Sequence, residues 1–167
     1  MRTQLAFAVA LALAAFSAPE AQAQRSGARD AAVSAPVTDL HYEVAFTRDG
    51  GRRRTLHVTT RFTTGGKDVV VLSLPAWTPG AYELSFFARQ VEQFQAHADG
   101  APLRWDKLDP DTWRIVPGGA QSITVEFDYR ADSLDNAMAW SREDFAFFNG
   151  TNLFLYPEGR DPAFGAT

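Results

Sequence analysis

The chain has 167 residues, 46% of them hydrophobic, no cysteine and a formal net charge of −4. The lack of cysteine excludes a disulfide framework, a thiolate metal site and a cysteine nucleophile, and so mild a charge leaves no clustered basic face for nucleic acid. Thirteen Phe, four Trp and four Tyr supply core material that excludes wholesale disorder, while histidine occurs at three positions only, His41, His57 and His97.

The first segment reads as a secretory signal peptide over residues 1–23. Arg2 is a short positive region, Leu5 to Phe16 is an apolar run too short to span a bilayer comfortably, and Ala21-Gln22-Ala23 has the small-x-small cleavage pattern. Cleavage leaves no membrane segment and implies a secreted or periplasmic protein. Residues 24–36, rich in Ala, Ser, Gly and Gln, read as a flexible leader.

From residue 37 the pattern is that of strands. Leu40, Tyr42, Val44 and Phe46 alternate with polar positions, Asp49-Gly50-Gly51 has hairpin chemistry, and Leu56, Val58, Thr60 and Phe62 alternate in turn. Gly65-Gly66 is the next turn. Val69 to Leu74 is a continuous apolar run, as expected of a strand covered on both faces. After Pro75 the pattern breaks into an irregular loop. Strand character resumes at Val91 to Ala96, Leu103 to Lys107 and Thr112 to Val116, punctuated by Asp99-Gly100 and Asp109-Pro110. Pro117-Gly118-Gly119 precedes the clearest strand, where Ile123, Val125, Phe127 and Tyr129 alternate with polar residues. Asp132 to Glu143 is less regular, with room for a helical turn, and Leu153 to Tyr156 reads as a last short strand. The class this predicts is all-β: an antiparallel β-sandwich or saddle-like β-domain over residues 37–157.

Candidate chemistry is sparse. His41, Glu43 and His57 share the polar face of the opening hairpin, and pairing centred on Gly50 sets Glu43 opposite His57. Two histidines and a carboxylate are adequate zinc ligands, yet an ordinary wet face of an antiparallel ribbon explains the same residues. Asp106, Asp109, Asp111, Glu143 and Asp144 offer carboxylates, but their spacing fixes no separation for acid–base work. Asp109-Pro110-Asp111 is better read as a turn. No G-x-S-x-G, P-loop or G-x-G-x-x-G occurs. Asn149-Gly150-Thr151 matches a glycosylation sequon, and more simply marks a turn. The remaining candidate is the loop Trp77-Thr78-Pro79-Gly80-Ala81-Tyr82. Its Thr-Pro-Gly-Ala core fits a type II turn, and the flanking rings of Trp77 and Tyr82 serve either as interface anchors or as caps on the core.

Leu74-Pro75-Ala76-Trp77-Thr78-Pro79-Gly80-Ala81-Tyr82 resembles the LP-x-WTPG-x-Y signature in the N-terminal domain of the glycyl aminopeptidase family, metallopeptidase family 61. Phe86-Phe87-Ala88-Arg89, Gly100-Ala101-Pro102-Leu103, Lys107 with Trp113, and Phe148-Asn149-Gly150-Thr151 followed by Leu153-Phe154-Leu155 resemble further family segments in the same order. The resemblance implies a secreted zinc aminopeptidase that removes N-terminal Gly or Ala. This β-domain would precede a thermolysin-like catalytic domain, which holds zinc on an H-E-x-x-H helix with a downstream Glu and uses the motif Glu as general base.

No H-E-x-x-H occurs in this chain, and none of its three histidines has another four residues away. The expectation is therefore an N-terminal domain alone, with residues 158–167 as an interrupted linker to a catalytic domain. No catalytic residue, metal ligand or cofactor is assigned to this chain, and no zinc-dependent peptidase activity is expected of it by itself. Trp77, Thr78, Pro79, Gly80 and Tyr82 are the candidate substrate-binding or domain-interface residues. The expected partner is the parent peptidase's catalytic domain, with the peptide substrate contacted indirectly. The alternative is a stand-alone secreted module that binds peptide or glycan through exposed aromatics.

Overall fold

The computed structural model of the chain describes residues 33–46, 54–133 and 137–160. The expected signal peptide, most of the leader, the Asp49-Gly50-Gly51 turn and residues 161–167 lie outside the described residues.

The elements in chain order are β1 (Val37–Phe46), β2 (Thr55–Thr64), β3 (Val70–Ser73), a 3₁₀ turn (Phe87–Gln90), β4 (Val91–Ala98), β5 (Ala101–Pro102), β6 (Arg104–Asp109), β7 (Thr112–Val116), β8 (Ser122–Arg130), β9 (Trp140–Ser141), β10 (Ala146–Phe147), a single helical turn α1 (Gly150–Leu153) and β11 (Tyr156–Pro157). They form a five-stranded sheet in the order β1-β2-β8-β4-β5, a four-stranded sheet in the order β11-β3-β7-β6 and the small β9-β10 ribbon. Every strand pair is antiparallel. The all-β antiparallel expectation therefore holds.

The two larger sheets share one apolar core. On β8, Ile123, Val125, Phe127 and Tyr129 are fully buried, as the alternation predicts, and each contributes about 1.5–3 kcal/mol by leaving water. Leu56, Val58 and Phe62 of β2 join them beside Val70 and Leu72 of β3 and Ile115 of β7. Phe94 of β4 carries the contact from sheet to sheet. Its ring stacks on Trp113 of β7 at 5.0 Å and lies 6.4 Å from Phe127 of β8. Leu103 is the corner between the sheets. Its N–H donates to the Ala96 carbonyl at 2.8 Å, between β5 in one layer and β6 in the other.

The turn after β2 depends on Gly66, which has a φ of +76°. A Cβ there would lie 2.7 Å from the Gly119 carbonyl oxygen, inside contact distance. The absent side chain lets the turn approach Gly119, whose N–H donates to the Gly66 carbonyl at 2.9 Å.

Four expectations are corrected or refined. The opening hairpin has a different register: Glu43 sits opposite Thr59, His41 opposite Arg61 and Ala45 opposite His57. A longer connection than the one centred on Gly50 shifts the pairing by two residues, which keeps the apolar face inward but separates the proposed partners. The last strand is Tyr156–Pro157, and residues 150–153 form a helical turn instead. The Asn149 side chain caps that turn, a local alternative to the ladder that alternation does not reveal. Within 132–143 the described residues hold strand rather than helix: Asp132 bridges to Trp140, which opens β9. Finally, the anchored chain begins before Val37. Ser34 and Ala35 are buried, and their N–H groups donate to the Glu158 and Val69 carbonyls at 2.9 Å each.

The closing segment is clamped to the first strand. The Tyr42 hydroxyl donates to the Leu155 carbonyl, and the Tyr42 ring stacks on Phe154 at 4.5 Å. Burial pushes the Tyr42 phenol up to about 12.

Candidate functional site

β3 ends at Ser73, and Pro75, which has no N–H to give a ladder, turns the chain out of the sheet. The excursion closes on itself at its neck. The Ala76 carbonyl accepts from the N–H groups of Ser85 at 2.8 Å and Phe86 at 2.9 Å. Phe86 then turns at a φ of 48° into the 3₁₀ turn, which buries Phe87 and Ala88 in the core. Between neck and tip lies the expected type II turn. The Ala81 N–H donates to the Thr78 carbonyl at 3.0 Å, and Gly80 has a φ of +93°. A non-glycine residue would be strained at that φ, although beyond the adjoining residues no heavy atom lies within 4 Å of where its Cβ would stand.

The consequence is a closed loop with an apolar outer surface. Trp77 is 49% exposed, Leu84 62%, and Tyr82 stands fully in solvent. Trp77, Ala81, Tyr82, Glu83 and Leu84 line a shallow depression of about 280 Å³. The two rings do not cap the core.

The loop is also tethered sideways. The Thr78 hydroxyl lies 2.7 Å from the Thr151 hydroxyl in α1. Asn149 at the start of that turn accepts, on its side-chain oxygen, from both the N–H and the hydroxyl of Thr151 at 3.2 Å. The reciprocal half of the capping box is the Asn149 N–H donating to Asn152 Oδ1 at 2.8 Å. Thr151 and Asn152 escaped the sequence reading of the site. The Asn149-x-x-Asn152 spacing was the available signal, since a capping pair has this separation.

The other candidate residues are spread apart. His57 Nδ1 is 2.8 Å from Asp128 Oδ1, and His97 Nδ1 is 3.8 Å from Glu126, both on the outer face of the five-stranded sheet. Glu43 is occupied by Arg61 at 3.1 Å. The His41, Glu43 and His57 set is thus dispersed, and among the described residues no group of three or more His, Asp or Glu side chains is placed to hold a metal ion. Asp106 forms a two-pronged pair with Arg114, at 2.9 and 2.6 Å. Asp109 accepts from the Asp111 N–H at 2.8 Å, the turn that the sequence suggested. No acid–base pair is assembled from these groups.

Lys107 and Trp113, two of the positions that carried the family resemblance, touch each other. The Lys107 ammonium lies 4.3 Å from the centre of the Trp113 ring and donates to the Pro110 carbonyl at 2.7 Å. Burial lowers the Lys107 pKa against the pull of Asp111 and Asp109. Burial raises the Asp111 pKa, Asp109 adds to the rise, and Lys107 opposes it.

The described residues thus form an all-β domain with a closed aromatic loop, and among them no metal-holding group is assembled. The family model described as the Peptidase M61 N-terminal domain matches residues 41–164, and the chain belongs to that family as its N-terminal domain. Comparison with curated proteins finds no match. Among solved structures, the chain is similar to an aminopeptidase N family protein from Idiomarina loihiensis, with a TM-score of 0.62 and 24% identity. That similarity covers 72% of this chain and 20% of the other, and it is a likeness of fold.

Proposed function

We propose that this domain is the non-catalytic N-terminal part of a secreted or periplasmic zinc metallo-aminopeptidase that removes N-terminal Gly or Ala from peptides. Its work is to pack against the catalytic domain and shape the substrate cleft. The observation that carries this reading is the Trp77–Tyr82 loop: a turn tied at neck and tip that holds Trp77, Tyr82 and Leu84 out in water. Solvent exposure of a loop so firmly held has a cost, and a partner surface removes it. The family membership supports the choice of partner. Zinc, in this reading, belongs to the catalytic domain. The histidines described here do not fit it, since they are dispersed across the outer face of one sheet and two lie beside carboxylates of their own.

The experiment is reconstitution. A family catalytic domain produced without its own N-terminal domain is mixed with this chain, and complex formation and turnover of a glycyl anilide are measured. The reading requires association with the wild-type chain and its loss with Trp77→Ala and Tyr82→Ala. It fails if both variants associate like wild type. A wild-type chain that stays monomeric beside the catalytic domain and is stabilised by a peptide or oligosaccharide would be a stand-alone binding module instead.

A further inference from the structure

We infer that Thr151 is a positioning residue for the Trp77–Tyr82 loop: it holds the loop in its presented conformation through Thr78, and the Asn149–Asn152 pair aims it. This rests on the reading of the loop as a docking element, and it adds which residues outside the loop set its shape.

The direction of each hydrogen bond makes the case. Asn149 Oδ1 can only accept, and it takes the Thr151 hydroxyl proton at 3.2 Å. Thr151 has one hydroxyl proton, so its oxygen is left to accept. With that proton on Asn149, the Thr78 hydroxyl is the donor across the 2.7 Å contact, at which either hydroxyl can donate. In this arrangement the relay runs from Thr78 to Thr151 to Asn149. Asn149 itself is exposed, but its backbone N–H is bonded to a buried residue. Asn152 has no exposed surface, receives the Asn149 N–H on Oδ1 at 2.8 Å and donates from Nδ2 to the Ala137 carbonyl at 2.8 Å. A surface loop is thereby tied to a fully buried amide through the Thr151 hydroxyl and through Asn149, whose side chain meets Thr151 and whose backbone N–H meets Asn152.

The neck and tip bonds join the loop to itself. The Thr78–Thr151 contact joins it to a different part of the fold, from the residue beside Trp77. Loss of that contact should change the orientation of the turn more than its internal form. The Asn149-Gly150-Thr151 triplet, which matches a glycosylation sequon, thus has a structural task in this chain. Its Asn and Thr side chains are the last two members of the relay.

Amide hydrogen exchange on the purified chain tests this. Thr151→Val keeps the shape of the side chain and the Thr151 N–H bond to Asn149, but removes the hydroxyl from the relay. Exchange across residues 76–86 is expected to speed up about fivefold, the loss of one net hydrogen bond, with β2 and β8 unchanged. Thr78→Val removes the same contact from the other side and should give the same local change, with no further increase in the double variant. Thr151→Ser keeps the hydroxyl and should restore wild-type exchange. Unchanged exchange over 76–86 in Thr151→Val overturns the inference, as does an increase spread evenly through the strands. The docking reading has its own readout in the reconstitution experiment. If Thr151→Val loosens the loop while Trp77→Ala binds the catalytic domain normally, the positioning role stands and the docking reading falls.

Discussion

Trp113 and Trp77 occupy opposite environments although both lie near the same end of β3. Trp113 pairs in register with Leu72, has no exposed surface, stacks on Phe94 and carries Lys107 over its ring. Trp77 follows Leu74 within a few residues and is half exposed. The difference comes from the backbone. A strand flanked by β3 and β6 points every second side chain inward. A loop closed by its own hydrogen bonds at Ala76 and Thr78 has no inward face to offer. The same large side chain therefore stabilises the fold in one place and leaves an apolar surface for other use in the other.

Substitution at the two tryptophans should give the largest contrast. Trp113→Ala is expected to cost about 3–5 kcal/mol, as a large aromatic side chain leaves the core. Trp77→Ala should stay within about 0.5 kcal/mol of wild type. Urea unfolding followed by circular dichroism measures both, and comparable costs at the two positions would break the contrast.

The glycines of the two regions sharpen it. Gly66→Ala meets a positive φ and a carbonyl oxygen 2.7 Å away, so a loss of about 2–3 kcal/mol is expected. Gly80→Ala meets the positive φ alone, with open space around it, and should cost about 1 kcal/mol. Chemical denaturation of the pair tests whether crowding separates the core-side turn from the loop.

Tyr42→Phe keeps the stack on Phe154 and loses the bond to Leu155, for about 1 kcal/mol at neutral pH. It should also alter alkaline behaviour. A phenol raised to about 12 binds its proton more tightly in the folded state than in the unfolded chain, where it titrates near 10. That contribution is complete below pH 10 and is lost as the pH climbs toward 12. Urea midpoints measured from pH 8 upward should fall less steeply in the variant.

The smallest effect belongs to Asp111→Asn. The Asp111 pKa is raised in the folded state, so its proton stabilises the fold at low pH, and that stabilisation is lost as pH rises through the folded value. The variant should be slightly more stable than wild type at pH 7, by about a few tenths of a kcal/mol for a partly buried carboxylate. The advantage should vanish below the usual carboxylate range. Thermal melts at neutral and acid pH give the sign.

Much of the sheet was legible because burial follows period two. The strand through Ile123, Val125, Phe127 and Tyr129 needed nothing beyond alternation, and the type II turn at Thr78 to Ala81 needed only Pro79 and Gly80 at their places. The opening register was not legible, since apolar residues on the even positions of both strands tolerate a shift of two. The last strand was misplaced because Leu153 to Tyr156 is apolar under either reading, and the Asn149 cap that decides the matter is a polar, local device.

By itself the sequence determined the all-β class, the main strands, the shape of the Trp77 turn and the lack of an H-E-x-x-H motif, each set by local spacing or by residue identity. Tertiary structure decided which way Trp77 and Tyr82 face. It also decided that His41, Glu43 and His57 do not converge, and that Thr78 meets Thr151 across 73 positions of chain. Those outcomes depend on how sheets and loops pack, and no local pattern encodes a distance between residues so far apart in sequence.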